Sequence, residues 1–355
     1  MGSRRSDTVT IKDIALSCGV SISTVSNVLN GKTKKVSEEI ADKIRKEVAR
    51  TGYRPNYLAK NLRANSTKTI GVIAEDLIVF SSPSMIEGIM SCCEDKGYTV
   101  VIENMRLFGR WHGAWLHDEE LFHSALQPVL AKMDTMNLDG LLYLGGHEHT
   151  VKNLVSAHDL PIVMAYAIAD DKKIPTFRLD DVTGGYDAIK YLVSMGHKKI
   201  GIIAGEYDNT HTINRILGAQ KAIYEEKLLF DPSLVEYRQW NKSGGYEGMK
   251  ALLKQDITAV FCMSDMIASG AYEALLEQQL VPGRDISIIG YDNQDIASSL
   301  TPEVTTMALP LEELGSAAAA KLLDMIENPE SRMENSTDVR LKSTLIQRRS
   351  VSRLS

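Results

Sequence analysis

Cysteine is scarce in this chain: Cys18, Cys92, Cys93 and Cys262 are all there is, and no Cys-x-x-Cys spacing occurs. That excludes a disulfide framework and a thiolate zinc site. Long apolar runs are missing too. No stretch approaches the ~20 residues needed to cross a bilayer. The opening Met1-Gly2-Ser3-Arg4-Arg5-Ser6 carries charge with no hydrophobic stretch behind it, so the expected location is the cytoplasm. Enzymic signatures are also lacking. There is no Gly-x-x-x-x-Gly-Lys-Ser/Thr phosphate loop, no Gly-x-Gly-x-x-Gly after the first strand, and no Gly-x-Ser-x-Gly elbow. His147-Glu148-His149, and separately His112, His117 and His123, lack the spacing that would bring two histidines and a third ligand onto one metal. They read as solvated loop residues. No cofactor, metal or catalysis is expected.

What is present is 355 residues, enough for two or three folding units. The net charge is −6, but it is unevenly spread. Residues 1–65 carry 13 Lys and Arg against 6 Asp and Glu, a net of +7 that leaves −13 for the remainder. A basic head on an acidic body suits a head that meets phosphates and a body that does not.

The head reads as three helices. Thr10 caps a first one, with Ile11, Ile14 and Ala15 on its apolar face; Cys18-Gly19-Val20 forms a turn. Ser21 caps a second, Ile22 to Leu29, with Val25, Val28 and Leu29 inward and Asn30-Gly31 as its stop. Ser37 starts a third, with Glu38 and Glu39 in its first turn and Ile40, Ile44 and Val48 as its buried stripe. Helix, glycine turn, helix and support make a helix-turn-helix. Its second helix should enter the major groove of double-stranded operator DNA. There Ile22, Ser23, Ser26 and Asn27 face base edges, an Asn suiting adenine and an Ile the thymine methyl. Ser21, Thr24 and the lysines near Gly31 suit phosphates.

Thr10 to Asn30, then Val36-Ser37 and Gly52-Tyr53-Arg54-Pro55-Asn56, resemble the head of the lactose/galactose repressor (LacI/GalR) family. The resemblance implies a hinge helix from Asn56 to Arg63 that folds on DNA. Asn56 is its cap, and Ala59 and Leu62 are its minor-groove face. A pair of Leu62 side chains from two subunits would wedge a base step. The alternative is a plain linker helix whose Leu62 packs on the body. Asn27 stands where that family often has Arg, which puts the usual guanine contact in doubt.

From Thr69 onward strands and helices alternate. Strands are expected at 69–74, 99–103, 140–144, 161–165, 199–204, 234–237, 259–263 and 286–291. Helices are expected at 85–96, 121–136, 184–195, 212–226, 243–254 and 265–278. Near-continuous apolar strands separated by helices imply parallel sheets covered on both faces, here in two lobes. Ligands in such sheets bind beyond the carboxyl ends of the strands. Leu192-x-x-x-Gly196-His197-x-Lys199-Ile200-Gly201, Arg215-x-x-Gly218, Ser264-Asp265 and Ile289-Gly290-Tyr291-Asp292 add to the family resemblance, which spans about residues 9–347.

The expected fold is therefore an all-α helix-turn-helix head joined to an α/β, periplasmic-binding-protein-like body of two Rossmann-like parallel-sheet lobes. Residues 8–54 form the head, 55–68 the hinge and linker, and 69–347 the body. Lobe 1 takes about 69–175 and 308–340; lobe 2 takes 176–307 and 341–347.

The resemblance places the effector contacts at Phe80, Ser81, Tyr166, Arg215, Trp240, Asp265 and Asp292, with His211 nearby. Arg215 would clamp neighbouring hydroxyls, Asp292 accept from them, and Trp240 stack on a sugar face. Each has a plainer reading: Arg215 paired with an acid, Trp240 in the core, Asp265 as a helix cap. The family commonly has Asp near Tyr166 and Asn at Ser264, so the identity of the effector is not legible. An aromatic-rich insertion from Arg106 to His117 could lid the cleft, lie on the surface or join an interface. The function implied is a homodimeric, sequence-specific transcriptional repressor controlled by a small sugar-like effector. A sugar-binding transport protein or a sugar-modifying enzyme on the same scaffold are the rivals. A basic head and the absence of a catalytic constellation weigh against them.

Overall fold

The computed structural model describes residues 9–29, 31, 36–53, 66–154, 160–333 and 337–354. Two compact units divide the chain between Thr67 and Lys68.

In the first unit, α1 (Ile11–Cys18), α2 (Ile22–Leu29) and α3 (Glu38–Thr51) enclose a small core. Thr10 and Asp13 form a reciprocal capping box at the start of α1. Gly19 ends that helix at φ 70°, a left-handed conformation glycine adopts without steric cost. Ser21 Oγ accepts the Thr24 amide at 3.1 Å, which starts α2. Ile14, Ala15, Cys18, Val25, Val28, Ala41 and Ile44 fill the interior. The expected stripe on α3 was misaligned at its start. Ile40 is 37% exposed and Ala41 is fully buried. Where three helices converge closely, the small side chain takes the contact and the large one is left at the rim.

The second unit holds two six-stranded sheets. Their elements in chain order are β1 (Thr69–Ala74), α4 (Ser82–Asp95), β2 (Thr99–Asn104), α5 (Leu107–Trp111), α6 (Glu119–Asp134), β3 (Gly140–Leu144), β4 (Thr150–Val151), β5 (Ile162–Ala165), β6 (Ile168–Ala169), β7 (Thr176–Leu179), α7 (Asp181–Ser194), β8 (Ile200–Ala204), α8 (Thr210–Glu225), β9 (Val235–Tyr237), α9 (Lys242–Leu252), β10 (Ala259–Cys262), α10 (Asp265–Glu277), β11 (Ser287–Asp292), α11 (Asp295–Ser299), β12 (Thr305–Ala308), α12 (Leu311–Glu327), β13 (Asp338–Leu341) and β14 (Thr344–Ile346). The first sheet runs β13-β7-β5-β3-β1-β2, and the second β14-β12-β11-β10-β8-β9. All pairings are parallel except β12 with β14.

Helices cover both faces of each sheet, which is why the central strands are apolar along their whole length. Side chains such as Ile70, Val72 and Ile73 are at most 1% exposed, each burial contributing about 1.5–3 kcal/mol. In the first lobe α4 and α12 pack on one face and α6 on the other. In the second, α7 and α8 cover one face and α9 and α10 the other.

The chain passes between the sheets three times: between β7 and α7, between β12 and α12, and between β13 and β14. The first and third crossings are joined to each other, and the third is held to β11. The Asp180 amide donates to the Leu341 carbonyl at 2.8 Å, and the Tyr291 and Ser343 hydroxyls lie 3.2 Å apart. The first crossing corrects the expected boundary at 175/176. Residues 176–179 form β7, which pairs with β5 and β13 in the first sheet. This strand is too short and mixed in character to stand out by periodicity. Similarly, Leu341 pairs within the first sheet, so that passage follows it.

Candidate functional site

Helix α2 presents Ser21, Ile22, Ser23 and Asn27 at the surface, while Thr24 and Ser26 are half-buried. Ser21 Oγ is engaged locally, 2.7 Å from Ser23 Oγ and 2.8 Å from Thr24 Oγ1. Ile22 is 36% exposed, an apolar side chain kept at the surface beside two hydroxyls and an amide. That mixture can hydrogen-bond a base edge and contact a methyl group. Asn56, Ala59 and Leu62 lie outside the described residues.

In the body, the carboxyl ends of both sheets converge on a polar cluster. Arg215, on α8, is 2% exposed. Its Nε donates to Asp181 Oδ1 at 2.7 Å and its Nη1 to the Met263 carbonyl at 2.6 Å. The guanidinium carbon sits 3.7 Å from the Tyr291 ring centroid and 5.6 Å from that of Trp240. Asp292 is left 3.8 Å from Nη1. Because the guanidinium is already committed to Asp181, its pull on Asp292 is outweighed by burial, which pushes that carboxyl up to about 8. Asp181 itself is buried too. Arg215 and His211 nevertheless hold it well below the ordinary aspartate range. Asp292 also has φ 100°, a strained conformation for a non-glycine residue, fixed as β11 turns into the next loop.

Arg215 is placed by close packing of α7 on α8. A Cβ at Gly185 would lie 2.2 Å from the Arg215 carbonyl oxygen. His211, one turn earlier on α8, joins the lobes. Its Nδ1 lies 2.7 Å from Asp181 Oδ2, and its Nε2 accepts the Glu148 amide at 3.2 Å. Tyr166 stacks on its ring at 5.2 Å, with φ 60° at the end of β5. Thus Tyr166, Arg215 and Asp292 come together, with Trp240 against Gly205 beside them. Ser81 is fully buried at the start of α4, while Phe80 is 43% exposed. Asp265 is turned inward: Oδ1 accepts from the Thr306 hydroxyl at 2.7 Å and Oδ2 from the Gln294 amide at 2.8 Å. Those bonds fix the loop after β11, a supporting role for Asp292. Ser264 caps α10 through the Ile267 amide.

Three acids were not foreseen. Asp181 is described above, and Glu148 Oε1 accepts from Arg178 Nη1 at 3.0 Å. Glu75, at the end of β1, accepts from Tyr143 Oη at 2.6 Å and the Gly146 amide at 2.6 Å, and lies 2.5 Å from His149 Nε2. His147 and His149 are consequently not solvated. Burial lowers His147 to about 4, whereas His149 is raised by its contact with Glu75 despite burial. The insertion is anchored on the first lobe. Leu107 and Trp115 are buried, Trp115 lies 5.1 Å from the His149 ring, and Asp76 Oδ2 accepts the Phe108 and Gly109 amides. His117 Nε2 lies 3.8 Å from Asp208 Oδ2 in the other lobe. The segment thus reaches the other lobe at the surface.

Residues 10–56 match the family described as bacterial regulatory proteins, lacI family, and residues 189–351 match a periplasmic binding protein-like domain. The ribose operon repressor of Haemophilus influenzae is 33% identical over 96% of this chain and 98% of its own length. The chain belongs to the lacI family of bacterial regulatory proteins. The HTH-type transcriptional repressor CytR of Escherichia coli K12 is another relative, 32% identical over 90% of each chain. Among solved structures, the lac repressor dimer bound to operator and an anti-inducer aligns over 98% of this chain and 100% of that one, with a TM-score of 0.77 and 22% identity, a likeness of fold. A LacI-family regulator from Enterococcus faecium with bound ribose aligns at 26% identity over 81% of this chain and all of its own, with a TM-score of 0.62. Among the described residues, no helix of this lacI-family member is long and apolar enough to cross a membrane.

Proposed function

We propose that this chain is a cytoplasmic, homodimeric transcriptional repressor without catalytic activity. Its grip on operator DNA is set by a small sugar-like effector held between the lobes. Ser21, Ile22, Ser23, Thr24, Ser26 and Asn27 meet the major groove, and Asn56, Ala59 and Leu62 the minor groove. Tyr166, Arg215, Trp240 and Asp292 hold the effector, with Phe80 and Ser81 at the margin and Asp265 supporting Asp292. The observation that carries this reading is the Arg215–Asp181–His211–Glu148 chain, which links the floor of one lobe to the backbone of the other. A ligand inserted there must alter the fit of the lobes and can favour one arrangement over another. The ribose operon repressor and the ribose-bound regulator are relatives whose names point to a pentose.

The experiment is operator binding by gel shift, using DNA upstream of the chain's own gene against a scrambled duplex. Specific binding is expected, altered by at least one sugar or nucleoside. Removing residues 1–68 should abolish it while leaving ligand-induced thermal stabilisation. Equal binding to both duplexes at moderate ionic strength, with and without metabolites, overturns the reading.

A further inference from the structure

Acids gather at the lobe junction, where Glu75 is matched by His149 and burial raises Asp292. Glu75, Glu148, Asp181, Asp265 and Asp292 are all buried. The guanidiniums beside them, Arg178 and Arg215, are both committed. Arg178 makes a two-pronged bond to Asp338, at 2.7 and 2.6 Å, and donates to Glu148 Oε1 at 3.0 Å. Arg215 is divided between Asp181 and the Met263 carbonyl.

Glu148 is the unusual member. Its side chain is 1% exposed, its amide reaches His211 of the other lobe, and its second oxygen, Oε2, has no hydrogen-bond partner. A buried carboxylate oxygen without a donor is costly. Burial, the largest influence, raises the Glu148 carboxyl above the ordinary range in spite of His211 and Arg178. Three other unpartnered buried atoms lie on elements of the same junction: Ser81 Oγ, Thr212 Oγ1 and Trp240 Nε1.

We propose that Glu148 Oε2 receives a hydrogen-bond donor from the effector, and that the effector is an uncharged, hydroxyl-bearing molecule, a free sugar or a nucleoside, in preference to a phosphate ester or carboxylic acid. This rests on the reading of the site given above and adds its charge selectivity. A hydroxyl donates to Glu148 in a charge-assisted bond and accepts from the Trp240 indole. The Ser81 and Thr212 hydroxyls can pair with either role. A phosphate would lose its water, meet the Glu148 and Asp181 carboxylates and find the Arg178 and Arg215 guanidiniums already occupied.

The test uses the full-length chain and a panel of uncharged pentoses, hexoses and nucleosides, each beside its phosphate ester. Melting shifts are followed by calorimetric affinities. At least one uncharged probe should stabilise the protein, with its phosphate ester about tenfold weaker or worse. E148Q should weaken the uncharged probe by about ten- to a hundredfold, as expected for loss of a hydrogen bond to a charged group. Should E148Q melt well below wild type, Thr212→Val is the second variant, expected to weaken the uncharged probe severalfold. A phosphate ester that binds as well as its parent, a panel without an uncharged binder, or full affinity in the folded variant overturns the proposal. Operator binding separates the outcomes. If a phosphate ester binds and releases DNA, the charge selectivity fails and the regulator stands. If no ligand of either charge alters DNA binding, the regulator reading itself fails.

Discussion

The Glu148 peptide N–H, in the first lobe, donates to Nε2 of His211, in the second, over 3.2 Å. The other ring nitrogen lies 2.7 Å from Asp181. An imidazole that accepts on Nε2 carries its proton on Nδ1, so Asp181 fixes the tautomer that joins the lobes. H211A should break this bridge and leave Asp181 one partner short. We expect a loss of about 1–3 kcal/mol in body stability and a weaker effector response, measured by thermal melts and by operator release. An unchanged response would show that the bridge does not contribute to closure.

Asp292 gives a pH-dependent prediction. Its folded value of about 8 lies above the ordinary 3.8. The folded state therefore holds this proton longer than the unfolded chain does. Its stabilising effect is present at low pH and is lost as pH rises from about 4 to about 8. D292N removes that dependence. The variant should melt close to wild type near pH 4–5 and above it near pH 8, while responding less to effector. Melting curves that stay parallel across this range would contradict the assignment. Asp181 behaves oppositely: its low folded value makes its contribution present at neutral pH and lost only in strong acid.

Gly185 lets α7 and α8 approach. G185A places a methyl group against the Arg215 carbonyl, and the helices must separate. Overpacking of this kind costs about 1–3 kcal/mol. Effector affinity should fall along with stability, because Arg215 moves with its helix. Calorimetry with the best uncharged probe checks this. Retained affinity in a destabilised variant would mean that Arg215 is positioned by Asp181 alone.

At the DNA face, N27A should relax discrimination at one base position by about 1–3 kcal/mol. T10A should instead lower head stability by about 0.5–2 kcal/mol through loss of the capping box and weaken all operators alike. Binding to a set of single-base operator variants separates the two patterns. A uniform loss for N27A would make it a phosphate contact.

The parts of this protein governed by short-range rules were legible in its sequence. Thr10, Gly19 and Ser21 mark helix ends because their effects act over three or four residues. Apolar runs such as Thr69–Ala74 and Gly140–Leu144 declare buried strands directly. Failures occurred where distant segments decide. Ile40 and Ala41 are both apolar, and only the approach of the other helices selects between them. The strand Thr176–Leu179 is recognisable from its neighbours β5 and β13, not from four mixed residues. Asp181 and Glu75 carry no local signal, and Glu148 stands in a stretch that reads as solvated loop. Their burial follows from partners 30 to 74 positions away, such as Asp181 with His211 and Glu75 with His149.

The three chain passages between the lobes have a mechanical consequence. One tether would allow the halves to swivel in any direction; three, the first and third joined by Asp180–Leu341, resist twist and shear together. Bending about the line of the tethers is the softest movement left. A small molecule lodged at the mouth then acts on a jaw with a single hinge line, and binding energy spent on closing it moves every part of each half in concert.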